Sequence, residues 1–353
     1  MKVKCVTNKE MSLKTNENMV ASTNLGGDWR LNSIDKLKIF CAFLIVCIHA
    51  PFHGVIGEYF TALTRIAVPI FFMITGYFYT VSLASRQIRK LLKLVLIGNG
   101  IYLLWKLALA VMKGEAVSFL TSIFTGKNMA KFFLFNDTHL QSHLWYLGAI
   151  LYVVVIVTAI IRWNDHKGRS VLYLIVPILL LGDLVLGKYS LAIFRREFPY
   201  FLVRNWLFVG IPYFSIGMWL KERELKIRKW KLIGLIVLTV LTTLLERYIL
   251  VSSSLNPTRD HYLSTTFLAI FVFLFFLHYV GDTENIVSQI GKRDSAWIYI
   301  LHPIVITVLA VVMKKIGVEN IYNIVRPIIV FLITTVVVDL MIMASKKTRS
   351  ERT

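Results

Sequence analysis

Two stretches, 144–161 (LWYLGAILYVVVIVTAII) and 262–280 (YLSTTFLAIFVFLFFLHYV), contain no acidic residue, lysine or arginine. Coiled as helices, each is long enough to cross a hydrocarbon core of about 30 Å. Backbone groups in lipid find no water to bond, so a spanning segment must satisfy them within itself or in a closed barrel. Long apolar runs without strict alternation point to helices. Composition agrees: 56% of residues are hydrophobic, 17% are charged, and mean hydropathy is +0.65. Water-soluble domains carry more charge. The chain reads as an all-α polytopic membrane protein.

The pattern predicts about ten transmembrane helices, near 36–53, 61–80, 91–112, 144–161, 171–187, 205–220, 231–250, 262–281, 296–313 and 322–344. Residues 114–142 are too polar to span and suggest a short amphipathic helix at the interface. Residues 1–33 read as a disordered polar cytosolic tail, 34–345 as the transmembrane domain, and 346–353 as a basic cytosolic tail. The N-terminal tail lacks the apolar core of a secretory signal. Cys5, Cys41 and Cys47 form no CxxC pair, and the latter two read as small core hydrophobes.

Charge orients the bundle. With the N-terminus inside, the five inner loops hold 19 lysines and arginines and the five outer loops 11. The positive-inside rule then puts both termini in the cytosol of a multi-pass cell-membrane protein. That rule and contact with anionic membrane lipid explain the net charge of +20, so no nucleic-acid partner is implied. No HExxH, cysteine–histidine set or acidic cluster suggests a metal, and no Gly-rich phosphate loop suggests a nucleotide fold.

Within the first span (KLKIFCAFLIVCIHAPFHG, 36–54), Lys38 and His49 are eleven residues apart, three turns on one stripe and about 16 Å. Asp35 falls close to the same stripe. An acid, a base and an imidazole on one face fit a site inside the bundle. Snorkelling of Lys38 to headgroups and a helix end at His49 beside Pro51 fit equally. Arg86 and Arg89, three apart at the inner mouth, can grip phosphate oxygens as two forks, or simply obey the positive-inside rule. His143 and Trp145 begin one span from outside; they fit an acceptor site or an aromatic belt. His302 precedes Pro303 and reads as a site residue or a packing histidine. Arg204 and Asn205 fit a carboxylate or sugar site, or a loop edge. Asp183 and Asp339 are expected to be wetted at span ends, and Glu246 and Arg247 to lie at the interface.

Lys38-x10-His49 followed by Arg86-Gln-Ile-Arg89 resembles the membrane acyltransferase-3 superfamily, whose pattern is Arg-x10-His and then Arg-x-x-Arg. Further similar blocks follow in order: VPIFFMITGYFY (68–79), HLWYLGAILY (143–152), RNWLFVGIPYFSIGMWL (204–220) and WIYILHPIVI (297–306). Lys38 departs from the family arginine, keeping the charge and losing the fork. The wording looks closest to the membrane half of the membrane-bound serine racemases of glycopeptide (vancomycin)-resistant enterococci. The resemblance implies transfer of an acyl group from cytosolic acyl-CoA, a co-substrate rather than a tightly bound cofactor. The acceptor is a hydroxyl or amine on an extracytoplasmic small molecule, glycan or lipid-linked group. Asp35, Lys38 and His49 would be catalytic, Arg86 and Arg89 would bind the donor, and His143, Trp145, Arg204, Asn205 and His302 the acceptor. The alternative it implies is a non-catalytic module supplying or transporting L-serine to a separate, soluble serine racemase.

The orientation has a direct test. Topology reporters fused after residues 57 and 225 should read outside and inside respectively; the reverse pattern would overturn it.

Overall fold

A computed structural model describes residues 31–257 and 259–350. Among these, all regular structure is helical. The helices are α1 (Asn32–His49), α2 (Gly54–Thr64), α3 (Ala67–Tyr77), α4 (Ala84–Met112), α5 (Ala116–Ile123), α6 (Gly126–Phe135), α7 (Trp145–Trp163) and α8 (Asp165–Asp183). They continue with α9 (Ser190–Phe194), α10 (Ile211–Arg223), α11 (Lys229–Ser252), α12 (Thr265–Tyr279), α13 (Ile286–Arg293), α14 (Ser295–Lys315) and α15 (Glu319–Ser350). A helix occupies each of the ten positions expected to span. Seven segments are long and apolar enough to cross a membrane: 54–77, 81–112, 142–163, 165–188, 229–252, 295–315 and 319–345. Residues 114–142 form two short helices, α5 and α6, rather than one. The expected leader lies almost wholly outside the described residues, α1 starts at Asn32, and α15 continues to Ser350.

Of the ten expected spans, the three outside that group, α1, α10 and α12, are short or carry charge. Nearly all of α10 from Ile211 to Leu220 is buried, as is one whole side of α1. Segments 54–77 and 142–163 are 56% buried, against 17% for 165–188, 229–252 and 319–345. Outer helices must be apolar because lipid is their solvent. Inner helices face protein and can keep polar groups, provided these are paired. On the outer helices, large aliphatics recur at helical spacing, as in Leu174, Ile178 and Leu181 of α8 and Leu332, Val336 and Leu340 of α15. A soluble surface would not sustain such stripes.

Small residues set the central crossing of α3 and α10. A Cβ at Gly76 would lie 2.0 Å from the Phe214 carbonyl oxygen, and one at Gly217 would lie 2.1 Å from that of Met73. Membrane helices gain most from such close approach, because lipid offers no hydrophobic penalty for staying apart. At the Lys38 end of α1, the loop after α12 supplies a cap: Asp282 accepts from the Ser33 backbone N–H at 2.9 Å. Arg293 of α13 joins buried Asp294, at 2.6 Å, to Asp339 of α15. Asp339 is thus half-shielded and paired rather than freely wetted.

Replacing Gly76 or Gly217 with Ala should destabilise the bundle by roughly 1–3 kcal/mol, the usual range for overpacking a close contact. Gly100, whose added Cβ meets nothing within 4 Å, should tolerate the same change. Thermal unfolding in detergent compares the three; equal effects would discount the crossing.

Candidate functional site

His49 is the last residue of α1, which stops where Ala50 leaves helical geometry ahead of Pro51. Two other elements bring imidazoles to it. His143 comes from the single 3-10 turn before α7, and His302 from α14 immediately before Pro303. The His49 ring centre lies 5.1 Å from that of His302 and 6.1 Å from that of His143, and these two are 5.3 Å apart. Tyr102 and Tyr299 flank His143 at 5.1 and 5.3 Å. The Tyr299 hydroxyl donates to the His143 carbonyl, and the Tyr102 hydroxyl to that of Ile300 at 2.8 Å.

His302 Nδ1 lies 3.1 Å from the Ile298 carbonyl oxygen, which can only accept, so Nδ1 carries a proton. Its Nε2 is buried without a hydrogen-bond partner among the described residues, and the His143 ring nitrogens also lack one of good geometry. Orphaned buried nitrogens are uncommon in a settled core and are expected where a ligand or proton is to be received.

A cavity of about 40 Å³ opens beside these rings, lined by His49, Arg65, His143, Trp145, Arg204, Asp260, His261 and Tyr299, with Ile45, Ile48 and Val68. Its charged wall is a network. Arg65, at the junction of α2 and α3, pairs with Asp260 from the loop before α12. Arg204 lies 4.1 Å from the Tyr200 ring centre and 5.5 Å from that of Trp145, which fixes it by cation–π contact. His261 Nδ1 meets Asp183 Oδ2 at 2.6 Å. Asp183 is buried, at 7% exposure, and not wetted as expected at a span end: the imidazole from a distant loop covers it. Glu246 and Arg247 also anchor neighbouring segments. Glu246 accepts from the Tyr189 hydroxyl at 2.7 Å and the Leu263 N–H at 2.9 Å, while Arg247 bonds Glu58 at 2.7 Å.

Burial alone would raise the Asp260 carboxyl, but the guanidiniums of Arg65 and Arg204 outweigh it and hold it well below the carboxylate range. Burial would lower His261, but the Asp183 carboxylate outweighs it and raises the imidazole above its ordinary value. Burial, and then the Asp260 charge, push the Tyr200 phenol up. The wall therefore presents fixed cations and a fixed carboxylate beside the His49 ring.

Of the residues singled out from the sequence, His49, His143, Trp145 and Arg204 line this cavity, and His302 stacks behind His49. Asn205 is adjacent, but its amide is spent on the backbone. It accepts from Leu207 and Phe208 N–H groups and donates to the Phe201 and Leu202 carbonyls. It caps the π-turn Trp206–Gly210 that leads into α10, and leaves little for a ligand. Lys38 and Asp35 form an ion pair of 2.7 Å toward the start of α1 and do not line the cavity. Arg86 and Arg89 are exposed in the first turns of α4. No group of three or more metal-ligating side chains occurs among the described residues.

Sequence reasoning passed over Arg65, Asp260, His261 and Tyr299. Arg65 carried a signal, an arginine inside a predicted span, which by default marks a site. Asp260 and His261 sit in a polar loop, where nothing in the local pattern foretells burial.

The network dictates a pH response. His261 has a raised folded pKa, so its pairing contributes fully below about 6.5 and is lost as pH rises through the higher folded value. Asp260 has a depressed one, so its contribution is present above about 3.9 and is lost as pH falls through the lower folded value. Melting temperature should therefore decline on the alkaline side, and His261→Gln should flatten that limb; an unchanged limb would place the titration elsewhere.

Residues 31–343 match the family model described as an acyltransferase domain (acyltransferase-3). The chain is 26% identical over 314 residues to a protein of Enterococcus faecalis named amino-acid racemase, covering 81% of this chain and 42% of the relative. It is also 26% identical over 329 residues to one of Enterococcus gallinarum named serine/alanine racemase, covering 85% and 44%. It thus spans less than half the length of either relative. No solved structure matches. With the family pattern running through nearly every described helix, the chain belongs to the acyltransferase-3 family of multi-pass membrane proteins.

Proposed function

We propose that the protein moves an acyl group from cytosolic acyl-CoA to a hydroxyl or amine of an extracytoplasmic or lipid-linked acceptor, with His49 as general base. The observation that carries this reading is the convergence of His49, His143 and His302 from three separate elements, with the first two lining a cavity that has a cationic wall. The acceptor oxygen or nitrogen attacks the thioester carbonyl, and its proton passes to His49 as the new bond forms. The carbon–sulfur bond then breaks, and the proton moves on to the departing thiolate. Arg204, held over two aromatic rings, is the cation placed to meet the negative charge that builds on the carbonyl oxygen. His143 and His302 hold the His49 ring in place. Lys38, Arg86 and Arg89 take the donor's phosphates on the opposite, cytosolic face of a cell-membrane protein with both termini inside.

A second reading is supported by the names of the two enterococcal relatives, an amino-acid racemase and a serine/alanine racemase. In it the bundle carries L-serine to a racemase and performs no bond-making. Reconstitution in liposomes separates the two, by following CoA release from acetyl-CoA and movement of labelled L-serine.

Under the transfer reading, His49→Ala and His49→Gln should each lower CoA release by about 10²-fold or more, since an amide can hydrogen-bond but cannot take the proton. Lys38→Arg should hold or raise the rate by restoring a fork. Full transfer by His49→Gln, or serine flux without CoA release that survives in His49→Gln, would favour supply.

A further inference from the structure

A second cavity lies on the same side of the bundle as His49 and shares no lining residue with the first. It is lined by Pro51, Phe52, His53, Gly54, Glu58, Thr61, Arg247, Asn323 and Arg326, and measures about 550 Å³. That volume falls within the usual range for small-molecule sites.

Arg326 is its unexplained member. It lies seven residues into α15, about 10 Å from the helix start, within a segment long and apolar enough to span. Its guanidinium Nε is buried with no hydrogen-bond partner, and it forms no ion pair among the described residues. One turn earlier on the same face, the hydroxyl of buried Tyr322 is likewise unpartnered. Across the cavity, Arg247 bonds Glu58 at 2.7 Å through Nη2 and sits 5.1 Å from the Tyr59 ring centre, while its Nε also lacks a partner. Two guanidiniums therefore face one carboxylate, leaving a positive charge uncompensated. Asn323 adds an amide donor.

The surroundings indicate where the matching anion comes from. Val55 and Ile56 of α2, Ile249 of α11, and Ile324 and Ile328 of α15 are exposed large aliphatics on the three helices that form the cavity. The polar hollow is thus flanked by lipid-facing side chains, the arrangement that suits an amphiphile with its head in the hollow and its tails outside. Forked guanidiniums match phosphate oxygens in geometry as well as charge.

We propose that this cavity binds the phosphate of an anionic lipid in the leaflet on the His49 side, gripped by Arg326 and Arg247. The site stands independently of the acyl-transfer reading, because it uses none of the His49 cavity residues. An arginine that merely snorkels to the headgroup region would give no selective binding.

The test is native mass spectrometry of the full chain released from phosphatidylcholine nanodiscs containing a minority of phosphatidylglycerol. Wild type should retain phosphatidylglycerol selectively, and Arg326→Gln should weaken it by about tenfold, roughly the loss of one charged hydrogen-bonding partner. Arg326→Lys, which keeps the charge and loses the fork, should fall between. Lys314→Gln, an exposed lysine ending α14 outside the cavity, should behave as wild type. Gel filtration and melting of each variant report folding independently. Equal retention by wild type and Arg326→Gln would overturn the proposal. A parallel arm in pure phosphatidylcholine with inorganic phosphate should show no melting shift that depends on Arg326; such a shift would make this a soluble-phosphate site and overturn the lipid assignment.

Discussion

The ion pair between Arg65 and Asp260 ties an arginine at the middle of the α2–α3 segment to a loop more than 190 residues later in the chain. Neither partner is tolerable alone in a medium that cannot solvate charge. Their pairing fixes the loop before α12 over the mouth of the bundle, and His261, the next residue, then covers Asp183 of α8. Arg259 on the other side bonds the Phe198 carbonyl and Glu197. One short loop thereby fastens three separate segments, and the wall beside His49 is the product.

The same economy governs the helices. Inner helices carry the polar residues because protein surrounds them, and outer helices carry the aliphatic stripes because lipid does. This is why α1, buried along one side, can keep the Asp35–Lys38 ion pair within an expected span. It is also why the extra polarity of the first span pointed to function.

The helical class and the positions of the seven long apolar segments were readable from apolar runs alone, since solvent dictates them. His49, His143 and His302 were readable as candidates because an imidazole in an apolar helix stands out, although their mutual contact was not. Contacts between residues 49, 143 and 302 depend on how helices pack, and helical phase within one span says nothing of its neighbours. The stripe linking Lys38 to His49 shows the limit: phase aligned the two residues, yet three turns keep Lys38 beside Asp35 and away from the cavity. Asn205 misled for a different reason. A polar residue at a span start has two employers, a ligand and the backbone, and here the unsatisfied N–H groups of the π-turn take it.

The three imidazoles also have a history written in their numbers. Membrane chains are made and inserted from the N-terminus onward, and segments dock as they arrive. His49 enters with the first helix, His143 follows after two more spanning-length segments at the start of a third, and His302 belongs to the penultimate long helix. Until residue 143 is made His49 has no ring against it, and its environment is finished only when α14 brings in His302. Assembly of the cavity is therefore a late event in the life of the chain, and a ribosome that stalls before α14 leaves a bundle with most of its helices and an open, unfinished centre.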